Sequence, residues 1–470
     1  MQFDSFTFAV FFVLVLLLFQ VSPSWKLQKI VLLLASYLFY AAWSPPLLVL
    51  IWISTLTDFS VARLMQNAES SSRRRVLLIL SLSVNLGLLA YFKYADFLMN
   101  SFIDLMAGIG VIYAAPEFDI ILPIGISFYT FQTLSYTIDV YRKQIKASNN
   151  LLDFSLFVTF FPQLVAGPIM RAGALLPQFQ IPRKILQPQL VLGLTLLAWG
   201  LFQKTVLADG LYAPIVDDFF NRAGAGSLTS NALTDWLAVF SFSMQIYFDF
   251  SGYSLCAVGI AMVFGFSLVD NFRSPYAASG FSDFWRRWHI SLSEWLRDYL
   301  YISLGGNQTS RFITLRNLSI TMLLGGLWHG ASWNFVLWGL LHAILLVVEH
   351  LFRALPIKRP PEILIILLTF IAVSICWIPF RSPDFSSSLL IAQSLFMPQQ
   401  FTGSIVLQQM LALFGVAAVF TYQYWRRNLS LDELIATVPA GLQAVLLACI
   451  ITAIALTATG DSHAFIYFQF

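Results

Sequence analysis

Long apolar stretches follow one another along almost the whole of this 470-residue chain. Hydrophobic residues make up 58% of the sequence and charged residues only 11%, whereas about 25% of the residues in an ordinary soluble domain are charged. A helix of roughly 20 mostly apolar residues crosses the hydrocarbon of a bilayer. The sequence therefore predicts an all-α, multi-pass membrane protein.

The apolar stretches also indicate how often the chain crosses the membrane. Several are too short, or too often interrupted by glycine and proline, to span alone, so we expect about eleven full spans with additional re-entrant and interfacial helices. No connection is long enough for a separate soluble domain, which predicts one membrane domain over residues 1–470. The stretches lie near residues 5–21, 30–43, 47–64, 76–92, 97–115, 120–138, 154–170, 190–208, 234–269, 312–328, 331–352, 363–380, 405–424 and 435–457.

Basic residues predict the orientation of the chain. Residues 1–25 contain no Lys or Arg, so Phe6–Val21 is expected to be a spanning helix and not a secretory signal peptide. Later basic clusters, such as Arg73–Arg75 and Arg426–Arg427, are expected on the cytoplasmic side. This arrangement places both termini outside and requires an odd number of spans.

Charge and cysteine content exclude several functions. The net charge is +3 and the chain has no long polybasic tail, so nucleic-acid binding is not expected. The three cysteines lie in apolar runs without metal-type spacing, and no H-E-x-x-H motif is present. Neither a metal nor a disulfide framework is therefore predicted.

The segment Leu323-Leu-Gly-Gly-Leu-Trp-His-Gly330 sets one histidine among apolar and glycine residues. An imidazole takes up and releases protons near neutral pH, and an ionisable group at membrane depth is costly enough to indicate a function. Glycines leave room for another chain or a substrate to approach closely. His329 is therefore the predicted catalytic residue.

Residues 284–300 have the periodicity of an amphipathic helix at the membrane interface, with Ile290 as the exception. His289 falls inside its apolar arc and is predicted to point into the protein or the bilayer. There it either satisfies a backbone carbonyl or takes part in chemistry. The apolar side comprises Trp285, Trp288, Leu292, Trp295, Leu296, Tyr299 and Leu300, and the polar side Arg286, Arg287, Ser291, Ser293, Glu294, Arg297 and Asp298.

Other polar residues in apolar runs are expected to be structural. His342 and His350 lie eight residues apart on one apolar helix, where Glu349 and Arg353 have the spacing of an ion pair. Asp249 lies among aromatic residues and is expected to pair with an arginine, because an unpaired carboxylate is expensive there. The run 160–169 contains two prolines and a glycine, which predicts either a kinked span or the wall of a tunnel.

Five motifs, taken together, resemble the membrane-bound O-acyltransferase (MBOAT) family over roughly residues 120–350. The segments 298–307 and 465–470 further resemble the bacterial branch of the family that acetylates exopolysaccharides such as alginate. In chain order, the five motifs are Ile138-Asp-Val-Tyr-Arg142, Phe160-Phe-Pro-Gln-Leu-Val-Ala-Gly-Pro168, Tyr247-Phe-Asp-Phe-Ser-Gly-Tyr253, Phe284-Trp-Arg-Arg-Trp-His-Ile-Ser-Leu292 and Leu324-Gly-Gly-Leu-Trp-His-Gly330.

The resemblance implies a fold, a location and an activity. The family fold is a ring of tilted helices around a central tunnel, and the two family histidines correspond to His329 and His289. Bacterial members are multi-pass inner-membrane proteins that take an acyl group from a cytoplasmic thioester, here expected to be acetyl-CoA. Separate periplasmic acetyltransferases complete the transfer to the polysaccharide in the alginate-type branch. The other expected partners are membrane lipids, and no tightly bound cofactor is implied.

These implications assign candidate roles to further residues. His329 is expected to act as a general base or to carry the acyl group covalently, with His289 assisting on the cytoplasmic side. Arg286 and Arg287, flanked by Trp285 and Trp288, are expected to meet either lipid headgroups or the phosphates of the donor. Trp328, Trp333 and Asn334 are candidate N–H donors to the developing oxyanion.

Two alternatives stay open at this point. Relatives of this fold transfer D-alanyl or fatty acyl groups, so the acyl group and the acceptor polymer are open. A non-catalytic transporter or flippase also fits broken helices and intramembrane histidines, although the two halves of the sequence show no internal repeat of the kind common in transporters.

Overall fold

The computed structural model describes residues 1–113, 120–165, 167–228, 231–308, 310–356, 358, 360–397, 406–429, 438–457 and 465, and every regular element within these ranges is helical. The predicted all-α membrane class is confirmed. Of the motif at 465–470, all but Phe465 lies outside the described residues.

Seven helices in the described residues are long and apolar enough to cross a membrane, and Phe6–Val21 is a shorter apolar helix. The predicted number of about eleven spans stays a prediction. The seven are Pro45–Gln66, Ser71–Gly108, Gln187–Gly224, Ala232–Val263, Trp333–Arg353, Glu362–Arg381 and Ala440–Thr457.

The chain divides into two compact units, each built from two stretches of sequence. The first comprises Met1–Leu194 with Ala257–Val269, and the second comprises Thr195–Cys256 with Asp270–Phe470. The prediction of a single domain over the whole chain stays a prediction.

The first unit consists of helices whose starts are set by polar caps. The side chains of Ser5, Ser24 and Asn150 accept hydrogen bonds from backbone N–H groups in the first turns of their helices, which would otherwise have no partner. The helices are Phe6–Val21, Trp25–Ala41, Pro45–Leu47, Leu48–Gln66, Ser71–Leu89, Ala90–Tyr94, Ala95–Gly108, Ile126–Tyr141, Leu151–Thr159, Phe161–Leu164, Ala172–Gln180 and the beginning of Gln187–Leu201.

The proline-containing run in this unit is a broken helix, as predicted. Helix Leu151–Thr159 ends before Phe160, whose backbone is not helical, and the four-residue helix Phe161–Leu164 follows with Pro162 in its first turn. Phe160 and Phe161 are fully buried, and the freed backbone N–H of Phe161 donates to the hydroxyl of Ser36 at 3.0 Å. This packing favours a kinked segment held by its neighbours over the wall of a tunnel.

The second unit contains the predicted site residues. Its helices, after the end of Gln187–Leu201, are Phe202–Tyr212, Ala213–Gly224, Ala232–Val263 up to the boundary of the unit, Pro275–Ala277, Phe281–Arg287, Ile290–Trp295, Leu296–Tyr301, Arg311–His329, Trp333–Arg353, Glu362–Arg381, Phe385–Ser394, Leu407–Arg426 and Ala440–Thr457.

A close helix pair in this unit positions His329. Helices Arg311–His329 and Trp333–Arg353 meet backbone to backbone at two glycines: a Cβ on Gly326 would clash with the carbonyl oxygen of Phe335, and one on Gly339 would lie 2.5 Å from that of Met322. Small residues permit such an approach between membrane helices. Gly326 of the histidine motif is therefore required by helix packing.

Asp249 has a buried partner, but it is not the expected arginine. Its carboxylate lies 2.6 Å from Nζ of Lys204, which also lies 3.0 Å from the carboxylate of Asp209. The prediction of an arginine was wrong because the partner lies 45 residues away on another helix, where sequence spacing gives no information.

Candidate active site

The segment 284–300 is not the single amphipathic helix that its periodicity predicts. Helix Phe281–Arg287 ends before Trp288, which is extended, and His289 adopts a left-handed conformation with φ of 42° before a second helix begins at Ile290. The backbone at the break bonds to a neighbouring loop: Ile290 N–H donates to the carbonyl of Asn271 at 2.9 Å. This long-range hydrogen bond replaces one that a continuous helix would make.

His289 is fully buried, as its place in the apolar arc predicts, and its ring is held from two sides. Its Nδ1 lies 3.3 Å from Oδ1 of Asn271, and its ring is nearly perpendicular to that of Phe250, with centroids 4.6 Å apart. Burial lowers the pKa of the His289 imidazole to about 3. The ring is therefore neutral over the physiological pH range.

The surroundings of Asn271 decide which nitrogen of His289 carries the proton. Oδ1 of Asn271 also accepts from the backbone N–H and the hydroxyl of Ser291, at 3.3 and 2.7 Å, and its Nδ2 donates to the hydroxyl of Ser254 at 3.0 Å. Because a backbone N–H is only a donor, the amide oxygen must face this group. Nδ1 of neutral His289 consequently carries the hydrogen, and Nε2 carries the basic lone pair.

His329 is the last residue of helix Arg311–His329 and is 4% exposed. Its ring contacts two aromatic rings edge-on, with centroid distances of 4.9 Å to Trp338 and 5.5 Å to Phe380. The centroid of the His289 ring lies 6.4 Å away. The two histidines singled out from the sequence are thus neighbours in a buried aromatic environment, where a hydrogen bond is stronger than in water.

The three candidate oxyanion donors are not equivalent. The ring of Trp328 contacts that of His329 at 5.0 Å and is 4% exposed. Nδ2 of Asn334 donates to the carbonyl of Ser382 at 2.9 Å, so this amide holds the next helix in place. Trp333 is 63% exposed. Geometry therefore favours Trp328 among the three.

The two candidate arginines also differ. Nε of Arg287 lies 2.9 Å from Asp283, and its Nη1 donates to the backbone carbonyl of Arg427 at 2.7 Å. Arg286 is exposed. Arg287 therefore holds internal structure together, and Arg286 is the better placed of the two to meet an anionic ligand or a lipid headgroup.

The candidate tryptophans of helix Phe281–Arg287 and its end lie in an aromatic cluster. Trp288 is fully buried against Trp377, with centroids 5.0 Å apart, and Trp285 lies 5.7 Å from Trp338. Trp338 and Asn271 both contact a predicted histidine, yet sequence reasoning missed them. An apolar residue on a spanning helix and an asparagine in a loop carry no local signal that reveals such contacts.

The tunnel towards His329 stays a prediction. A cavity of about 520 Å³ lies in the first unit, and its lining, which includes Ile145, Asp153 and Gln180, contains none of the predicted site residues. Among the described residues, no group of three or more His, Cys, Asp and Glu side chains has an arrangement suited to a metal ion.

Known proteins resemble this chain over most of its length. A probable alginate O-acetylase AlgI of Pseudomonas aeruginosa is 40% identical over 84% of this chain and 75% of its own length. A peptidoglycan O-acetyltransferase of Helicobacter pylori is 38% identical over 78% of this chain and 73% of its own. A teichoic acid D-alanyltransferase of Bacillus subtilis is 27% identical over 54% of this chain and 67% of its own.

A family model also matches about half of this chain. Residues 140–378 match MBOAT, the membrane-bound O-acyltransferase family, and this range includes both predicted histidines and four of the five motifs in full. The apolar helices and the family confirm the prediction of a multi-pass membrane protein, and the predicted enzyme class, an O-acyltransferase, is confirmed as well. The chain belongs to the membrane-bound O-acyltransferase family.

Proposed function

We propose that this protein takes an acetyl group from a cytoplasmic thioester, acetyl-CoA, and passes it across the bacterial inner membrane for O-acetylation of an exopolysaccharide such as alginate. The acetyl group reaches the polymer directly or through a periplasmic acetyltransferase. One observation carries the proposal: two buried histidines, His289 and His329, lie with ring centroids 6.4 Å apart in a chain of this family.

His329 acts as a general base in this proposal. Its imidazole accepts the proton of the acceptor hydroxyl as the hydroxyl oxygen attacks the thioester carbonyl, an effect of about 10²–10⁴ in rate. The carbon–sulfur bond breaks, the carbon–oxygen ester bond forms, and the departing thiolate takes up the proton. In this proposal the N–H of Trp328, whose ring contacts that of His329, stabilises the negative charge that develops on the carbonyl oxygen.

A two-step route is the alternative mechanism at the same residue. His329 itself attacks the thioester, releases the thiol and holds an acetyl-imidazole that the acceptor hydroxyl then opens. In either route His289, whose Nε2 carries the lone pair, accepts or returns a proton on the donor side. A central tunnel would let the small acetyl-thioester end meet the acceptor while the charged remainder stays in the cytoplasm.

The acyl group and the acceptor have one specific alternative. The name of the teichoic acid D-alanyltransferase from Bacillus subtilis indicates D-alanyl transfer in a more distant relative, and that of the Helicobacter pylori protein indicates a peptidoglycan acceptor. We favour acetyl because the two relatives of 38 and 40% identity are both named for O-acetylation. A transporter without bond chemistry is not retained, because the chain belongs to an acyltransferase family.

The test is whether His329 is needed to consume the donor. Purified protein incubated with radiolabelled acetyl-CoA is expected to release free CoA and to label a polysaccharide acceptor, and His329→Ala is expected to abolish both without changing expression or membrane insertion. His350→Ala is the matched control, since this histidine lies on Trp333–Arg353, the helix that pairs with the one ending at His329, and is not among the candidate site residues. If the His329→Ala protein consumes the donor at the normal rate, His329 is not the catalytic residue.

A further inference from the structure

We propose that His342 and the tryptophans around it bind the neutral, amide-bearing arm of the acyl thioester donor. This inference rests on the proposed function, which requires such a donor. His342 lies in the middle of helix Trp333–Arg353 and is 1% exposed. The sequence alone predicts a structural role for it, but its contacts indicate otherwise.

The polar atoms of this cluster are buried without partners. Neither ring nitrogen of His342 has a hydrogen-bond partner within the part of the chain that the structure describes, and the same is true of the indole N–H groups of Trp285, Trp288, Trp338 and Trp377. Buried polar groups in folded proteins are almost always hydrogen-bonded to protein, water or a ligand. Five such side chains in one cluster therefore indicate a site that a polar ligand completes.

The cluster is continuous with the candidate catalytic residue. The ring of His342 lies 4.7 Å from that of Trp338, 5.0 Å from that of Trp285 and 6.2 Å from that of Trp377. Trp338 in turn contacts His329 at 4.9 Å. A ligand that bonds to His342 would therefore lie one aromatic ring away from the reacting imidazole.

The balance of donors and acceptors describes the ligand. A neutral imidazole has one N–H and one lone pair, and each indole contributes only an N–H, so the cluster offers mainly donors. The rings that contact His342 belong to Phe284, Trp285, Trp338 and Trp377, none of which is charged. Such a surface suits uncharged carbonyl oxygens.

The arm of a thioester donor has this chemistry. CoA and carrier proteins both present the acyl group at the end of a narrow pantetheine chain that carries two amide groups and no charge. The phosphate at the other end of this chain requires a cation, and exposed Arg286 follows Trp285 directly on the short helix. In this proposal Arg286 meets the phosphate, His342 an amide group and His329 the thioester.

The experiment compares two donors, acetyl-CoA and S-acetylpantetheine, which lacks the phosphates. His342→Leu is expected to raise the KM for both donors by the same factor, about three- to tenfold for one lost hydrogen bond, with kcat nearly unchanged. His342→Gln, which supplies a donor and an acceptor, is expected to recover part of the loss. Arg286→Ala is expected to raise the KM for acetyl-CoA alone.

His350→Leu is the control on the same helix and is expected to leave both KM values unchanged. If His342→Leu does not fold, Trp285→Phe removes one N–H while keeping the aromatic ring, and a raised KM for both donors is again expected. Unchanged KM values, a loss confined to kcat, or an effect on acetyl-CoA alone would each overturn the assignment; water alone would then satisfy the cluster. The proposed function fails separately, if wild-type protein consumes neither donor or if His329→Ala still does.

Discussion

Individual residues show how far sequence patterns reach in this chain. Composition and spacing single out His329 and His289 and predict the Glu349–Arg353 ion pair. In the structure the two histidines are neighbours and the ion pair forms. The role of Asn271 could not be predicted from the sequence, because it depends on hydrogen bonds to residues 17–20 positions away in the chain. Local periodicity carries no information on such contacts.

Asn271 is expected to be a positioning residue for His289. Asn271→Leu removes the acceptor that fixes the tautomer, and kcat is expected to fall about 10- to 100-fold. Asn271→Asp keeps the acceptor and adds a negative charge that stabilises the imidazolium, which raises the lowered pKa of His289. Since only the neutral ring is a base, the acidic limb of the kcat–pH profile should move to higher pH in this variant.

The control for Asn271 is another buried asparagine. Nδ2 of Asn317 donates to the backbone carbonyls of Leu304 and Gly306, at 3.2 and 3.0 Å, which is a structural role. Asn317→Asp is expected to lower the amount of folded protein without moving the pH profile. An unmoved profile in Asn271→Asp, with full activity per folded molecule, would mean that Asn271 only holds the loop.

Secondary-structure elements were predictable where neighbouring residues decide them and not where distant ones do. The apolar helices follow from their composition, and the break at Phe160 follows from Pro162. No proline or glycine lies at His289 to predict the break there. It exists because the loop at Asn271 supplies hydrogen bonds that a continuous helix does not need.

The glycine contact between helices Arg311–His329 and Trp333–Arg353 gives a prediction at the same scale. In Gly339→Ala the new methyl group would lie 2.5 Å from the carbonyl oxygen of Met322 and 3.1 Å from Cα of Leu323, and backbone yields only if the helices separate. We expect a loss of about 1–3 kcal/mol in stability and a larger proportional loss of activity, because His329 ends one of these helices. Thermal unfolding in detergent and donor turnover measure the two effects.

Gly87→Ala is the matched control, since this glycine also lies within a long apolar helix and a Cβ there would meet nothing within 4 Å. Alanine has the higher helix propensity, so Gly87→Ala should keep activity and stability or slightly raise stability. Equal behaviour of the two variants would show that the helix contact at Gly339 does not position the catalytic residue.

For the whole molecule, composition was sufficient to predict the membrane class, but the number and direction of the spans depend on contacts that apolar runs do not reveal. In the second unit, several charged groups meet at the end of the helices that holds Arg353 and Glu362, while Arg381 pairs with Asp217 near the other end. Arg353 forms an ion pair with Glu349, and Arg427 forms one with Glu362. The backbone carbonyl of Arg427 also accepts a hydrogen bond from the side chain of Arg287. The side on which this end lies is predicted by its basic residues, which include Arg353, Lys358, Arg426 and Arg427, because cytoplasmic ends carry an excess of Lys and Arg.

Orientation can be tested across the helix Glu362–Arg381, whose 20 residues rise about 30 Å, the thickness of the hydrocarbon. Lys358 and Ser386 are exposed and lie beyond its two ends, so they should face opposite sides. In protein whose three native cysteines are replaced, Ser386→Cys should react with a membrane-impermeant maleimide in intact cells. Lys358→Cys should react only after the inner membrane is opened. Labelling of both from outside would show that this helix does not span, and the reversed pattern would place the charged end, with Arg286 and the donor site, on the periplasmic side.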